Sequence, residues 1–252
     1  MEILDINNIN VVLVDRKCYY FKGAEMTYIG NGIYTITEAS QITGIKKESI
    51  RRWISGYKYK LHNEISISTP IFDKDYSEAS GKVALSFLDL IEIKFIQSFR
   101  DLGVKWSVIR EAARIAEKLV DKPHPFASRK FFTDTKTILM RIADESGETD
   151  LIDLIKKQYT LEKVIEPFLH ECIDFDIDDM ASRWWPLGRD GKVLIDPKLN
   201  FGKPVLDSFN IPTETIYSAY LAEHSITTVA EWYEIDEYSI RKAIEYEKNK
   251  AA

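Results

Sequence analysis

Basic and hydroxyl side chains are concentrated at residues 46–60, where the sequence could contact nucleic acid. Arginine can fork onto guanine edges or grip phosphate, and serine can reach a base or a phosphate oxygen. The apolar residues Ile50, Trp53 and Ile54 recur at spacings of three and four, which predicts a helix with these side chains inside. The residues left outside, with the Lys/Tyr run that follows, are the candidate DNA contacts: Lys46, Lys47, Ser49, Arg51, Arg52, Lys58, Tyr59 and Lys60. The alternative is that these charges form only a solvated helix face.

A second dense group of chemically capable residues is the carboxylate run DFDIDD at 174–179. On a strand, alternate residues share a face, so three of the aspartates would point the same way and could hold a divalent cation. The run fails as a calcium loop because its sixth position is Asp179 rather than Gly and its twelfth is Trp185 rather than Glu. A solvated acidic edge is therefore favoured, and no metal site is predicted.

No set of residues predicts an enzyme. The chain has no phosphate-binding glycine loop, its four histidines are scattered, and Cys18 and Cys172 stand outside any CxxC spacing. Two lone thiols favour a reducing cytoplasm over a disulfide or zinc framework. We therefore expect a non-catalytic cytoplasmic protein with no cofactor.

The overall composition restricts how such a protein would meet its partners. No apolar run approaches the ~20 residues of a membrane span, so no membrane contact is expected. The formal net charge is −6. Any DNA contact must therefore be a local basic patch, and the acidic remainder suits a basic partner.

The elements that would position the basic residues occur twice. Residues 36–54 and 226–244 align without a gap, and each is predicted to form a helix, a short turn and a second helix. Ile45 and Ile235 would plug the two turns, and Ile50 and Ile240 would anchor the second helices. Two generic helical hairpins would be the simpler interpretation.

The two copies differ in charge. Residues 34–60 carry six basic and two acidic side chains, a net of +4, whereas residues 225–250 carry four basic and six acidic, a net of −2. DNA affinity rests largely on cations placed against phosphates. The first copy is therefore predicted to bind DNA, and the second is predicted to contact protein.

The remaining patterns predict a mainly α fold with small β elements, an α+β chain. Short strands are predicted in residues 1–33, helices at 85–102, 106–121 and 150–158, a β-hairpin at 129–142, short strands within 160–195, and a helical tail at 212–247. Three units follow: an N-terminal DNA-binding domain at 1–121, a mixed connecting segment at 122–190, and a C-terminal domain at 191–252 with the second helix-turn-helix.

The first unit resembles the MerR family of winged helix-turn-helix regulators. The resemblance rests on YTITEASQITGIKKESIRRWI at 34–54 and continues through the helix pair at 85–116. It implies a recognition helix followed by a wing. The chain departs from the family at Lys46, which replaces the usual Ser cap, and it lacks both the long dimerising helix and a cysteine cluster. A metal or small-molecule sensor of the usual MerR type is therefore not expected.

Residues 193–247 resemble the domain-of-unknown-function family numbered 433. The shared skeleton is Asp196-Pro197, Gly202, Pro204 and Ile211-Pro212. The order of motifs along the chain is similar to VapB-type antitoxins, which implies autorepression of an operon and neutralisation of a PIN-like ribonuclease toxin. Free-standing regulation without a toxin, and a scaffold role without DNA, are the alternatives.

A DNA site read by one short helix normally needs a two-fold copy, so a homodimer on double-stranded operator DNA is expected. The acidic C-terminal part is the expected toxin-binding half. Its candidate contacts are Asp176, Asp178, Asp236 and Glu237, with Trp184 and Trp185 either buried in the interior or serving as anchors for the partner.

Overall fold

A computed structural model describes residues 3–6, 9–14, 17–22, 30–61, 64–71, 74–76, 83–146 and 172–250. The predicted N-terminal strands are confirmed: β1 (Ile3–Ile6), β2 (Ile9–Val14) and β3 (Lys17–Lys22) form an antiparallel sheet in sequence order. Within the described ranges, no helix is long and apolar enough to cross a membrane.

The helix-turn-helix begins at a short sheet in which β4 (Tyr34–Thr35) pairs with β7 (Ala84–Leu85). Helix α1 (Ile36–Thr43) starts with a capping box, because Thr35 Oγ1 accepts from the Glu38 amide and the Glu38 carboxylate accepts from the Thr35 amide. Helix α2 (Lys47–Ser55) follows, and the hairpin β5 (Tyr57–Leu61) and β6 (Glu64–Ser68) comes directly after it.

The two predicted supporting helices are confirmed as α3 (Phe87–Asp101) and α4 (Trp106–Val120). Ser86 caps α3 in a second capping box with Asp89. Most of the residues that the periodicity places inside are buried, while Leu88 and Leu119 are partly buried against the same core; the buried ones are Ile91, Phe95, Ile96, Phe99, Ile109, Ala112, Ala113 and Ala116.

The predicted β-hairpin at 129–142 is wrong, because this segment is helix α5 (Arg129–Ser146). Its β-branched and aromatic residues favour strands, but no glycine, asparagine or proline divides it into two strands. Ser128 supplies the helix start instead, since its Oγ accepts a 3.1 Å hydrogen bond from the Phe131 amide. The predicted helix at 150–158 lies outside the described residues.

The carboxylate run at 174–179 does not lie along one strand, which corrects the predicted alignment of its aspartates. Strand β8 ends at Phe175 (Ile173–Phe175) and pairs with β9 (Ala181–Trp184). Asp176 instead forms the turn, because its Oδ1 accepts from the amides of Asp178 (3.0 Å) and Met180 (2.9 Å).

The C-terminal part begins with β10 (Val193–Leu194) paired with β11 (Val205–Leu206). The predicted helical tail is confirmed as α6 (Thr213–Glu223), α7 (Ile226–Tyr233) and α8 (Glu237–Lys250). These three helices share a second apolar cluster centred on Leu206, Ile216, Val229, Ile235, Ile240 and Ile244.

The main apolar core is not confined to the helix-turn-helix and its two supporting helices. It extends from Tyr34 through α1 to α4 and includes Phe126 and Phe131. Residues of the predicted connecting segment and of the start of the C-terminal part belong to the same cluster: Ile173, Met180, Ala181, Trp184 and Ile195. These contacts join the segments on either side of α5 to the helix-turn-helix.

One hydrogen bond ties the start of the helix-turn-helix directly to the C-terminal part. The Tyr34 hydroxyl donates to the Gly202 carbonyl at 2.9 Å, and both residues are buried. Gly202 has a φ of +81°, and a Cβ at this position would lie 2.0 Å from the Tyr34 hydroxyl oxygen. Only glycine permits both the backbone conformation and this close approach.

We therefore expect Gly202→Ala to lower the free energy of unfolding by about 2 kcal/mol or more, from left-handed strain and from displacement of Tyr34. Gly103→Ala is the matched control, since Gly103 has the same φ of +81° but no atom within 4 Å of the added Cβ. Urea unfolding of both variants measures the difference. Equal losses of stability would show that the close approach of Tyr34 contributes nothing.

Candidate nucleic-acid interface

Helix α2 presents a buried and an exposed face, as its spacing predicts. Ile50, Trp53 and Ile54 are 0%, 7% and 2% exposed and pack into the main core. The polar side chains lie on the opposite face: Lys46, Lys47, Arg51 and Arg52 are exposed, and Ser49 is half-buried. The sequence therefore turns the cationic side of α2 to solvent.

The angle between α1 and α2 is set by a tight turn. Gly44 adopts a left-handed conformation, with φ 73°, and its amide donates to the Ser40 carbonyl at 2.9 Å. Ile45 follows this turn, packs into the main core and is 5% exposed. Lys94 on α3 donates to the Thr43 carbonyl at 3.3 Å, which holds the end of α1 against the supporting helix.

The β5–β6 hairpin lies beside α2 and forms a wing. The Arg52 guanidinium carbon is 5.5 Å from the centre of the Tyr57 ring, and the Tyr57 and Tyr59 rings are 5.8 Å apart. Gly56 joins helix to wing, where a Cβ would lie 2.3 Å from the Ser68 carbonyl oxygen. Lys58, Tyr59 and Lys60 are exposed along the first strand of this wing.

The wing also exposes two apolar residues that sequence reasoning missed. Ile65 and Ile67 are 69% and 68% exposed, directly opposite Lys60 and Lys58 in the hairpin register. The four side chains therefore share one face of the wing, with cations on one strand and isoleucines on the other. The alternation EISIS at 64–68 carried this signal, because it places both isoleucines on one side of a strand.

Helix α4 braces the base of the wing. The Arg110 guanidinium donates to the Ser68 hydroxyl at 2.6 Å and to the Thr69 carbonyl at 3.0 Å. Trp106 packs against Trp53 with ring centres 5.5 Å apart, and Arg100 lies over the Trp106 ring at 4.7 Å. Helix α2 and the wing are thus held by the same supporting helix.

The second helix-turn-helix repeats the packing of the first. Ile235, Ile240 and Ile244 are 4%, 0% and 5% exposed, close to the values of their counterparts in the first copy. Glu234 occupies the left-handed turn position with φ 55°, where the first copy has Gly44. The internal repeat in the sequence therefore corresponds to a repeat of the same helix packing in the structure.

The two copies also differ in the ion pairs that their basic residues form. Among the described residues, no ion pair involves Lys46, Lys47, Arg51 or Arg52. In the second copy, Arg241 pairs with Glu237 and Lys242 pairs with Glu245, each at 2.9 Å. The equivalent cations of the second copy are thus already compensated within their own helix.

The two acidic residues at the start of α8 have local roles. Hydrogen bonds from the backbone and side chain of Ser239 lower the pKa of Asp236, which caps the helix. The Thr227 hydroxyl and Arg241 lower the pKa of Glu237 by donating to its carboxylate. Both groups carry negative charge at the position where a groove-reading helix would first meet DNA.

The copies also differ at one position of their first helix. Ile42 is 9% exposed, whereas its counterpart Trp232 on α7 is 61% exposed. Ile42 belongs to the main core, to which α3 and α4 contribute, and Trp232 has no such cover among the described residues. This leaves a large aromatic side chain on the surface of the C-terminal part.

The tryptophans that the sequence offered as partner anchors lie inside the protein. Trp184 and Trp185 are 2% and 3% exposed. Trp185 donates its indole N–H to Asp207 at 3.3 Å, and Arg189 lies over its ring at 4.0 Å. The interior alternative is thus the one observed, because these rings complete the chain's own core. Asp176 and Asp178 are exposed at the β8–β9 turn.

Two family models match the chain in the places that the resemblances indicated. Residues 32–113 match a family described as "Putative DNA-binding HTH domain", and residues 193–246 match "Protein of unknown function (DUF433)". The first match covers the helix-turn-helix, the wing and most of the supporting pair. The second covers the region from β10 to the last turns of α8.

A curated relative extends the likeness over most of the chain. "Putative antitoxin VapB45" of Mycobacterium tuberculosis is 27% identical over 223 residues, which are 84% of this chain and 92% of that protein. The crystal structure of Rv2018 from Mycobacterium tuberculosis has the same fold, with a TM-score of 0.65 and 23% identity over 84% of this chain and 96% of that one. The chain is therefore similar to a VapB-type antitoxin over most of its length, with a DNA-binding type of helix-turn-helix head and a DUF433 tail.

Proposed function

We propose that this protein is a DNA-binding antitoxin that represses its own operon and neutralises a PIN-like ribonuclease toxin by binding it. The observation that carries the proposal is the exposed cationic face of α2, whose Lys46, Lys47, Arg51 and Arg52 form no ion pair with other described residues, on a chain similar to a named antitoxin over 84% of its length. The protein acts without catalysis, in the cytoplasm, where its operator DNA lies.

In this proposal α2 enters the major groove. Its buried side anchors it on α1 and on the supporting helices, and its exposed side offers Ser49, Arg51 and Arg52 to base edges. Lys46 and Lys47 at its start and Lys58 and Lys60 on the wing contact phosphates, which fix the register. Tyr59 lies between the two lysines in sequence but projects from the other face of the hairpin, where its ring is 5.8 Å from that of Tyr57, and it is the wing's candidate for packing along the sugar-phosphate backbone.

The C-terminal part is proposed to bind the toxin. A ribonuclease presents a basic groove to RNA, and acidic groups can cover such a groove and steer association. Asp176, Asp178, Asp236 and Glu237 are the candidate charges. Trp232 replaces the interior tryptophans as the candidate anchor, because it is the large aromatic residue that this part exposes most among the residues described.

Two measurements distinguish this proposed function from the alternatives, a free-standing regulator and a scaffold that binds no DNA. A gel shift on the DNA upstream of the gene distinguishes DNA-binding proteins from a scaffold that binds no DNA. Co-purification of a small nuclease encoded beside the gene distinguishes an antitoxin from a free-standing transcription regulator. A shift without co-purification would support the regulator, and the absence of both would support the scaffold.

We expect a homodimer on a two-fold related DNA site. One recognition helix reads only a few base pairs, so specificity normally requires two half-sites. Light scattering of the free protein and of its operator complex measures the stoichiometry. A monomer in both states would contradict this expectation.

A further inference from the structure

Four titratable side chains, none of them among the candidate DNA contacts, meet near the start of α3. Asp89 and Glu92 lie one turn apart in the first half of α3 and are both 0% exposed. His124, in the segment after α4, is 1% exposed. Asp75 reaches them from the segment 74–76, and its side chain is 33% exposed.

The distances within this cluster suit a shared cation. His124 Nε2 is hydrogen-bonded to Asp75 Oδ1 at 2.7 Å, and the other ring nitrogen, Nδ1, lies 3.9 Å from Asp89 Oδ1. An ion would take one of these two nitrogens. One ligand atom from each of these three residues lies within 4.8 Å of the others. Neighbouring ligand atoms around a four-coordinate ion with bonds of about 2.1 Å are about 3.4 Å apart, so the widest-spaced atoms would need to approach by up to about 1.4 Å.

The buried carboxylates lack the hydrogen bonds that their oxygens require. Asp89 Oδ2 accepts from the Ser86 amide and Glu92 Oε1 accepts from the Phe126 amide, both at 2.8 Å. Asp89 Oδ1 and Glu92 Oε2 have no hydrogen-bond partner among the described residues. An unsatisfied carboxylate oxygen in the interior is costly, and coordination of a metal ion is one of the ways in which proteins compensate it.

The charges in the cluster are also unbalanced. Burial raises the pKa of Asp89 to about 6 and the pKa of Glu92 to about 8. Burial alone would lower the pKa of His124, but its hydrogen bond with Asp75 and the nearby carboxylates outweigh this and raise it to about 9. Three carboxyl groups thus surround one imidazole, and the ligand atoms of Asp75, Asp89 and His124 lie close enough together to be offered to one cation.

We propose that His124, Asp75 and Asp89 bind a divalent transition-metal ion, with Glu92 beside them as a further carboxylate. One imidazole and two carboxylates form the mixed nitrogen and oxygen set that Zn²⁺ and Mn²⁺ accept, whereas calcium and magnesium sites are built from oxygen. Sequence reasoning predicted no metal because the three residues are 14 and 35 positions apart and form no recognisable spacing.

The ion would join three segments that are distant in sequence. It would tie the start of α3 to the segment 74–76 and to the His124-Pro125 turn that leads into α5. Its role is structural, because Asp89 and His124 are buried. Such a site would exist whether or not the protein is an antitoxin.

The test uses the full-length protein stripped of metal with EDTA. Isothermal titration with Zn²⁺ is expected to show one ion per chain, and Co²⁺ is expected to give visible absorption bands of a nitrogen and oxygen site. His124→Gln and Asp75→Asn should each weaken binding at least about tenfold. Asp89→Asn should abolish binding.

Glu117→Gln is the matched control, because Glu117 is an exposed carboxylate on α4 with no proposed role and its substitution should leave metal binding unchanged. Circular dichroism checks that each variant is folded. If Asp89→Asn fails to fold because Asp89 also caps α3, the partly exposed Asp75 still supplies a test. Absence of binding by the stripped wild type, or unchanged binding in the Asp75 and His124 variants, would overturn the proposal and leave a metal-free ion-pair network.

Discussion

The double substitution Arg51→Ala and Arg52→Ala is expected to reduce operator affinity by about 1–3 kcal/mol for each arginine that hydrogen-bonds to a base. Both side chains lie on the exposed face of α2, where no carboxylate among the described residues pairs with them. Arg52 also lies near the Tyr57 ring of the wing, so its removal would alter the junction of helix and wing. Stability should change little, because neither side chain contributes to the core.

The matched control is Arg241→Ala with Lys242→Ala, at the equivalent positions of the second copy. These cations are paired with Glu237 and Glu245, and acidic side chains surround them. DNA binding should therefore remain nearly intact. Fluorescence anisotropy on labelled operator measures both variants, and an equal drop in affinity would refute the assignment of DNA binding to the first copy.

Trp232→Ala is expected to weaken toxin binding by about 2 kcal/mol or more, the effect typical of an aromatic anchor at an interface. The side chain is 61% exposed, so its removal should leave the fold intact. Operator binding should also be unchanged, because α7 belongs to the acidic copy. Calorimetric titration with the neighbouring gene's product measures the change in affinity.

Ile65→Ala provides the control for exposed apolar surface. Ile65 is 69% exposed but lies on the wing of the first copy, so its truncation should leave toxin affinity unchanged. If Trp232→Ala binds the toxin as tightly as wild type, the anchor must be sought elsewhere. Cutting the chain near residue 158 is a less informative test, because it separates Ile173, Trp184 and Ile195 from the core they share with the head.

Features that repeat at regular spacing were predicted from the sequence. The spacing of Ile50, Trp53 and Ile54 predicted which face of α2 is buried, and the internal repeat predicted the position of the second helix-turn-helix. The helix at 129–146 was missed because its β-favouring composition outweighed one capping residue, Ser128. The roles of the individual DNA-contact and toxin-contact residues remain predictions.

Features that depend on distant contacts could not be predicted. Asp75, Asp89 and His124 meet only after α3 and α4 pack together, and their spacing in the sequence does not predict this contact. Sequence reasoning considered Trp184 as a partner anchor and did not consider Trp232. Their burial differs because the first closes the main core, whereas nothing described covers the position of the second.

The face of the wing that carries Lys58, Lys60, Ile65 and Ile67 affects the protein when no DNA is bound. A two-stranded hairpin with two exposed isoleucines, and with edges that pair with no other strand among the described residues, is a template for pairing with another chain, and so for aggregation. A lysine stands directly opposite each isoleucine, and its charge repels a second hairpin that approaches in the same way. The side chains proposed to hold phosphate would thus also keep newly made, DNA-free protein dispersed.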